Sequence, residues 1–241
     1  MTYRIAIPSY CRPVQLRDAT LALLQKHSVP SELIDVFVSD AEQLAEYASI
    51  LTAGTYGQLI VAVPGMGAVR SFMTAYYEEG QHIFYMDDDI TDFLTLTDSS
   101  FNLCEFVEQA FAECVAKGLR LFGLYPVANR FFMRPVTTFD LRYVIGSVYG
   151  CVNDRSIRVT LDDGEDKERT CLYYLKYGGV MRYSWISPKT KYYKNPGGMQ
   201  VTRTLERQRA SGLKLLEQFP MLLSRIDKKD GKIEHRFKDK R

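Results

Sequence analysis

Three consecutive aspartates, Asp87 to Asp89, are the residues of this sequence whose types and spacing point most directly to chemistry. They follow the apolar run HIFYM, yet adjacent carboxylates repel one another and aspartate is poorly suited to strands. A hard divalent cation would offset that repulsion, because such cations take oxygen ligands. In an extended chain Asp87 and Asp89 face one side, which could hold Mg²⁺ or Mn²⁺, and Asp88 faces the other, which could bind a ribose. The alternative is an aspartate-rich turn that caps a helix, because short motifs often match by chance.

The elements that must position this triplet alternate between strand and helix over the first 90 residues. The predicted strands cover residues 4–10, 33–40, 58–65 and 82–88, and the predicted helices cover residues 14–27, 41–51 and 68–80. Strands that alternate with helices favour an open, mostly parallel sheet with a ligand crevice beyond the C-terminal strand ends. Polar or turn-forming residues fall at four such ends: Pro8-Ser9, Asp40, Pro64-Gly65 and the triplet.

The remainder of the chain predicts further elements of the same kind. A helix over residues 99–118 has a serine cap and a glycine stop, and the run LRLFGLYPV reads as the next strand. More strands are expected up to Gly150, and the acidic loop DDGED opens a helix that ends near Gly179. After residue 181 the pattern weakens, apart from one helix around RTLERQRASGLKLLEQF.

The composition is that of an ordinary globular protein and excludes a disordered chain. The 241 residues are 46% hydrophobic and 25% charged, which fits one domain with a sizeable core. No apolar run approaches the roughly 20 residues that span a bilayer, and no signal-peptide pattern opens the sequence. The five scattered cysteines form no CxxC pair, which argues against a zinc site and for a reducing compartment. We therefore expect a cytoplasmic protein without a membrane partner.

The net charge of +2 hides an asymmetry along the chain. Residues 182–241 hold 16 Lys and Arg against 6 Asp and Glu, whereas residues 1–180 hold 15 against 23. We therefore divide the chain into a body, 1–180, and a basic C-terminal segment, 181–241, of the same domain. Cations interleaved with aromatics make this segment a candidate nucleic-acid surface, and the alternative is a solvated basic face. The candidate DNA-binding residues are Arg182, Lys189, Lys191, Lys194, Arg203 and Arg207.

The order of four motifs resembles the glycosyltransferases of the GT-A fold. These are IPSYCRP, an acid at the end of the second strand, GMGAVR before a helix, and FYMDDDI; the match is good over residues 3–93 and looser beyond. The resemblance implies an α/β, Rossmann-like open mixed sheet with helices on both faces, in a single domain with a basic C-terminal extension. It also implies a UDP-sugar donor and Mn²⁺ or Mg²⁺. The implied nucleotide-sugar contacts are Pro8, Ser9, Tyr10, Arg12, Asp40, Arg70, Asp87 and Asp88, and the implied metal ligands are Asp87 and Asp89.

Two later features extend this resemblance. The acidic segment resembles the one in which inverting members place a general base, which makes Asp166 and Glu165 the catalytic candidates, with Asp163 behind them. The alternative is an acidic first turn that complements the helix dipole. GT-A enzymes also often supply a late histidine to the metal, and His235 is the candidate here. A solvated surface histidine is the alternative for His235.

The short chain and its basic quarter further resemble the TET-associated glycosyltransferases of bacteriophages. That resemblance implies transfer of a sugar to the hydroxyl of a 5-hydroxymethylcytosine-type base in DNA, with the base flipped out of the stack. A GT-A enzyme with a saccharide, lipid or protein acceptor is the alternative. A nucleotidyltransferase would need a glycine-rich loop that IPSYCRP lacks, and a DNA-binding module without activity would leave the aspartates unexplained.

Overall fold

The apolar runs of the first 90 residues form the parallel half of one large sheet in the computed structural model, which describes residues 3–96, 101–190 and 204–239. The strands are β1 Tyr3–Pro8, β2 Ile34–Val38, β3 Gln58–Val61, β4 His82–Met86, β5 Ile90–Thr95, β6 Leu121–Leu124, β7 Thr137–Thr138, β8 Val148–Val152, β9 Met181–Tyr183, β10 Ile186–Thr190, β11 Leu223–Asp227 and β12 Ile233–Phe237. The helices are α1 Pro13–Leu16, α2 Ala22–Lys26, α3 Ala41–Ile50, α4 Met66–Tyr76, α5 Leu103–Ala116, α6 Glu165–Tyr177 and α7 Leu205–Gln218.

Eight strands make up the main sheet, in the order β3-β2-β1-β4-β8-β6-β9-β7. Strands β1 to β4 are parallel, and Ile5 of β1 lies between Ile34 of β2 and Phe84 of β4. Strand β8 is antiparallel to both β4 and β6, so β4 and β6 run in the same direction. The prediction of an open, mixed α/β sheet is confirmed.

Helices cover both faces of this sheet, because successive side chains of each buried strand point to opposite sides. On one face Ile5 and Ile7 pack in a cluster that includes Phe111 of α5. On the other face Ala6 and Tyr85 pack in a cluster that includes Met73 of α4. The ends of β1 and β4 are therefore fixed from two sides, which holds the loops that follow them in place.

The helix predicted over residues 14–27 is present but contains an irregular segment. Helices α1 and α2 are joined without a break by a π-helical turn, Arg17–Leu21, which holds one extra residue per turn. This turn directs the Thr20 side chain toward the end of β4. The third predicted strand ends at Val61 rather than at Gly65, because Pro64 and the positive φ of Gly65 suit a turn before α4.

The C-terminal segment takes part in the fold more fully than the sequence predicted. Strand β9 lies inside the main sheet, and β10 pairs with β5 in a two-stranded ladder. Strands β11 and β12 form a hairpin that packs with α7 and α6 around Leu215, Leu223 and Phe237. Within the described residues, we find no helix that combines the length and the apolar character needed to cross a membrane.

Candidate active site

The aspartate triplet begins directly after β4, and its backbone is held by hydrogen bonds from two sides. The Asp87 N–H donates to the Ser147 carbonyl at 2.8 Å. The Thr20 hydroxyl donates to the Asp87 carbonyl at 2.7 Å and accepts from the Ile90 N–H at 3.0 Å. The turn that carries the carboxylates is thus fixed to the π-helical turn and to the residue before β8.

Asp88 points toward the loop that follows β1. The Ser9 hydroxyl donates to Asp88 Oδ2 at 2.7 Å, and the Arg12 guanidinium lies 3.4 Å from Oδ1. The Tyr47 hydroxyl lies 2.6 Å from Ser9 Oγ and accepts the Arg12 N–H at 2.9 Å. Burial raises the pKa of Asp88 to about 7, although the Ser9 hydrogen bond and Arg12 oppose that shift. Sequence reasoning missed Tyr47, whose place in α3 reads as an ordinary core position.

The other residues predicted to contact a nucleotide lie beside this loop. Pro8 ends β1, and Tyr10 is exposed directly beyond it. Cys11 adopts a φ of 54°, a conformation uncommon outside glycine, and its N–H donates to Gln43. Asp40 caps α3 by accepting the Gln43 N–H at 2.8 Å and remains exposed. The loop and the cap therefore lie at the same edge of the sheet.

Arg70 of α4 connects the triplet to the second acidic segment. Its side chain is only 3% exposed, and its Nη2 donates to Asp87 Oδ1 at 2.8 Å and to the Gly146 carbonyl at 3.0 Å. Its Nε lies 3.8 Å from Glu165 Oε1. Burial raises the pKa of Asp87 to about 6, and the charge of Arg70 works against that rise. Arg70 thus links both carboxylate groups.

Glu165, the first residue of α6, points into the protein interior. Its Oε1 lies 3.7 Å from the guanidinium of Arg169, which lies 3.6 Å from the centre of the Tyr149 ring. Burial, followed by the nearby charge of Asp166, raises the pKa of Glu165 to about 7. The two buried arginines therefore surround Glu165, which has little access to a substrate.

Asp166 is more exposed than Glu165 and is oriented by a tyrosine. The Tyr143 hydroxyl donates to Asp166 Oδ2, and Oδ1 accepts the Lys167 N–H at 2.8 Å. A Cβ on Gly146 would lie 2.8 Å from Glu165 Oε1 and 3.3 Å from the Asp166 Cβ, so α6 approaches this backbone closely. The backbone of Gly146 therefore lies against the acidic turn of α6, and its carbonyl accepts a hydrogen bond from Arg70.

The raised pKa of Glu165 predicts a pH-dependent difference in stability between the wild type and Glu165→Gln. A carboxyl pKa raised from 4.5 to about 7 stabilises the folded state fully below about pH 4.5, and this stabilisation is lost as the pH rises through about 7. We expect Glu165→Gln to gain about 1–3 kcal/mol relative to wild type between about pH 5 and pH 8. Urea unfolding without divalent cations measures the difference.

The matched control for this measurement is Glu217→Gln, at an exposed position of α7. Its stability difference from wild type should stay constant over the same pH range. If the stability difference for Glu165→Gln is also constant with pH, the folded state does not raise the pKa of Glu165.

The loop before α6 is held to α4 and α7 by ionic contacts. Asp162 Oδ1 accepts the Gly67 N–H at 2.8 Å, and a Cβ on Gly67 would come within 2.5 Å of the Leu161 carbonyl oxygen. The Arg207 guanidinium pairs with Asp162 and lies 3.2 Å from Asp163 Oδ2. Glycine at position 67 and the cation at position 207 thus fix the segment that leads to Asp166.

The three candidate DNA-binding residues that the structure describes do not form one uncompensated basic face. Arg207 faces the acidic loop, and Lys189 Nζ lies 3.0 Å from Asp92. Arg182 is half-buried in β9, with its guanidinium 5.5 Å from the centre of the Tyr125 ring. Lys191, Lys194 and Arg203 lie outside the described residues. That these six residues contact DNA stays a prediction.

The ionic contacts of Arg207 predict a loss of stability in Arg207→Ala. Asp163 is 5% exposed, and removal of Arg207 leaves its carboxylate without that cation. We expect a loss of about 1 kcal/mol in the free energy of unfolding, because Arg207 is partly exposed and water screens its charge. Urea denaturation measures this loss, and Arg225→Ala, which breaks the exposed pair with Asp227, should cost less than about 0.5 kcal/mol. An unchanged Arg207→Ala protein would contradict the structural role.

The structure places His235, the predicted late metal ligand, among partners within the fold. Its Nε2 lies 2.8 Å from the Gly212 carbonyl and its Nδ1 lies 3.4 Å from Lys167 Nζ, so both ring nitrogens face partners within the fold. Among the described residues, no three His, Cys, Asp or Glu side chains form a group that could hold a metal ion. The structure therefore does not bring His235 together with the triplet. Asp87 and Asp89 remain the candidate ligands.

Comparison with known proteins agrees with the fold. No protein-family model matches the sequence, and no curated protein sequence matches it significantly. The structure is similar to glucosyl-3-phosphoglycerate synthase from Mycobacterium tuberculosis in complex with Mn²⁺ and UDP-glucose, with a TM-score of 0.57, 10% identity, and coverage of 98% of this chain and 86% of that one. The complex of that enzyme with Mg²⁺ and UDP gives a TM-score of 0.55 and 11% identity at the same coverage. The likeness confirms the GT-A fold.

Proposed function

We propose that this chain is a metal-dependent glycosyltransferase that uses a nucleotide diphosphate sugar as donor. The observation that carries the proposal is the pair of acidic groups, Asp87–Asp89 and Glu165–Asp166, joined by Arg70 across the backbone of Gly146 in a GT-A fold. One group suits a metal and a diphosphate, and the other suits an acceptor hydroxyl. Sugar transfer needs both functions next to each other.

The residues of the triplet fit a small divalent cation that is shared with the donor. Mg²⁺ is commonly bound through one or two carboxylates together with substrate phosphates, so a preformed cage of three side chains is not required. Asp87 and Asp89 are the proposed ligands, and Asp87 is 31% exposed. Bound Mn²⁺ or Mg²⁺ would neutralise negative charge on the leaving diphosphate. The similar enzyme was crystallised with either cation, which supports this assignment.

The proposed donor is a UDP-sugar, held by the loop after β1 and the cap of α3. Ser9 and Arg12 hold Asp88, which leaves that carboxylate in place to accept a hydrogen bond from a ribose hydroxyl. Pro8, Tyr10 and Asp40 flank the same edge of the sheet and are the proposed contacts of the base and ribose. Arg70, beside Asp87, is placed to favour an anionic diphosphate.

Asp166 is the proposed general base and Glu165 the residue that positions it. Asp166 would accept the proton of the acceptor hydroxyl while that oxygen forms a bond to the anomeric carbon and the bond from that carbon to the diphosphate breaks. Such a single displacement inverts the anomeric configuration. Glu165, enclosed by Arg70 and Arg169, would fix the first turn of α6 so that Asp166 and its partner Tyr143 face the acceptor.

The proposed acceptor is the hydroxyl of a 5-hydroxymethylpyrimidine base in DNA. The resemblance to the TET-associated enzymes and the basic C-terminal segment support it. The internal partners of Lys189 and Arg207 favour the alternative, a saccharide, lipid or protein acceptor, because such acceptors need no basic face.

A transfer screen tests both parts of the proposal. The protein would be mixed with Mn²⁺ or Mg²⁺, a panel of UDP-sugars, and duplex DNA with plain or hydroxymethylated cytosine, and the digested nucleosides would be weighed by mass spectrometry. A mass gain of one sugar only on the hydroxymethylated base is the expected result. Metal-dependent release of UDP without a DNA product would point to the alternative acceptors. No turnover of any donor would refute the glycosyltransferase.

A further inference from the structure

Two adjacent phenylalanines project from the turn between β6 and β7. Phe131 is 77% exposed and Phe132 is 51% exposed, and their ring centres lie 5.0 Å apart in an edge-to-face arrangement. Phenylalanine is among the residues most often buried in soluble proteins. A neighbouring pair that remains in water therefore suggests a binding role.

This turn is ordered by its own hydrogen bonds. Asn129 accepts the N–H of Phe131 through its side chain at 3.0 Å and the N–H of Phe132 through its carbonyl at 3.1 Å. The Arg134 guanidinium donates to the carbonyls of Phe131 at 3.0 Å and Met133 at 2.8 Å, and Met133 itself is buried. The rings are thus presented on a preorganised support, which lowers the entropy cost of binding.

The charge around the pair selects an anionic partner. Residues 129–136, which form this turn, contain two arginines and no acidic residue. Arg130 and Arg134 flank the two phenylalanines and are exposed. Cations beside exposed aromatic rings are the combination that binds the phosphates and bases of a nucleic-acid strand.

The turn leaves the sheet at the same edge as the candidate active site. Because β6 and β4 run in the same direction, the turn after β6 leaves the edge at which the aspartate triplet follows β4. Only β8 separates the two strands in the sheet. The phenylalanine pair is therefore placed to hold a polymer whose reacting group lies over the site.

We propose that Phe131 and Phe132 stack on unpaired bases of the acceptor nucleic acid, next to the base that receives the sugar. The proposal rests on the proposed function and specifies how its acceptor is held. Arg130 contacts the phosphates, and the rings replace the stacking that a base loses when it leaves the duplex.

A second copy of the chain fits this surface less well. In a symmetric dimer the same patch meets itself, which would bring the arginines of one copy against those of the other. A nucleic-acid strand instead supplies negative charge and flat rings together. An anionic lipid surface is the remaining partner, and binding of wild type and the double variant to phosphatidylserine vesicles distinguishes it.

The test measures binding of a fluorescent single-stranded DNA of about 20 nucleotides by anisotropy. We expect Phe131→Ala/Phe132→Ala to weaken binding by about 10- to 100-fold, because each stacked base loses its platform. Met221→Ala removes a side chain that is 81% exposed and should bind as wild type does. Arg130→Gln should lower the slope of log affinity against log salt by about 0.7. Melting temperatures verify that each variant is folded.

Three outcomes would overturn the proposal. They are no DNA binding by wild type, equal binding by the double variant, and a loss confined to binding of phosphatidylserine vesicles. Titration of wild type with UDP and Mn²⁺ reports separately on the donor site. If wild type does not bind UDP but still binds DNA through the two phenylalanines, the proposed glycosyltransferase is refuted and the proposed nucleic-acid surface is retained.

Discussion

Asp89→Ala is expected to reduce sugar transfer by at least about 1,000-fold, or roughly 4 kcal/mol of transition-state stabilisation, in a protein that still folds. Asp89 ends the triplet that follows β4 and is proposed to hold the metal together with Asp87. Loss of one of two carboxylate ligands removes the charge that attracts the cation to the donor diphosphate. Initial rates with saturating Mn²⁺ give the size of the loss.

Calorimetry with UDP shows whether this loss arises at the metal. Wild type should bind UDP more tightly with Mn²⁺ than with EDTA, and Asp89→Ala should bind it equally weakly in both. Asp230→Asn, in an exposed pair with Lys232, is the matched control and should retain full activity. Full activity of Asp89→Ala would refute the metal assignment.

Asp166→Asn is expected to lower the rate of transfer by about 100- to 10,000-fold while the affinity for UDP stays as in wild type. Asparagine keeps the shape of the side chain and can still contact Tyr143, but it cannot accept the proton of the acceptor hydroxyl. The proposed donor site is built from β1, α3, α4 and β4 and does not include this residue. Single-turnover rates and UDP titrations separate the two effects.

Glu165→Gln distinguishes the two acidic residues of α6. Glutamine keeps the size of the Glu165 side chain. If Glu165 only positions Asp166, this substitution should lower the rate of transfer by about tenfold or less, well below the loss for a missing base. If Glu165→Gln lowers the rate of transfer more than Asp166→Asn does, Glu165 is the general base and Asp166 the positioning residue. The pH profile of transfer should then follow the raised pKa of Glu165, near 7.

The first half of the fold could be predicted because its signals are local. Each strand of β1 to β4 is an apolar run that ends in residues typical of turns, and the triplet follows the fourth run directly. The order of these ends along a parallel sheet then places Ser9, Asp40 and Asp87 at one edge. Strands β5, β10 and the hairpin of β11 and β12 were missed, because polar residues interrupt their apolar patterns.

The contacts that join the two acidic groups could not be read from the sequence. The Gly146 carbonyl accepts from Arg70, which is 76 positions away, and Tyr143 donates to Asp166 over 23 positions. Neither Gly146 nor Tyr143 belongs to a sequence motif, because the role of each depends on a residue that only folding places next to it. For His235 the residue type suits a metal, but the sequence does not show that its two ring nitrogens face Gly212 and Lys167 in the folded chain.

The π-helical turn at Arg17–Leu21 makes the number of residues in this helix as important as their identity. The turn contains one residue more than an α-helix of equal length, and that residue allows the Thr20 hydroxyl to lie between the Asp87 carbonyl and the Ile90 N–H. Loss of any one residue here would remove the extra residue and restore a regular helix, in which the Thr20 hydroxyl is no longer carried toward the triplet. The geometry of the triplet is therefore sensitive to single-residue deletions in a helix that contributes no carboxylate to it.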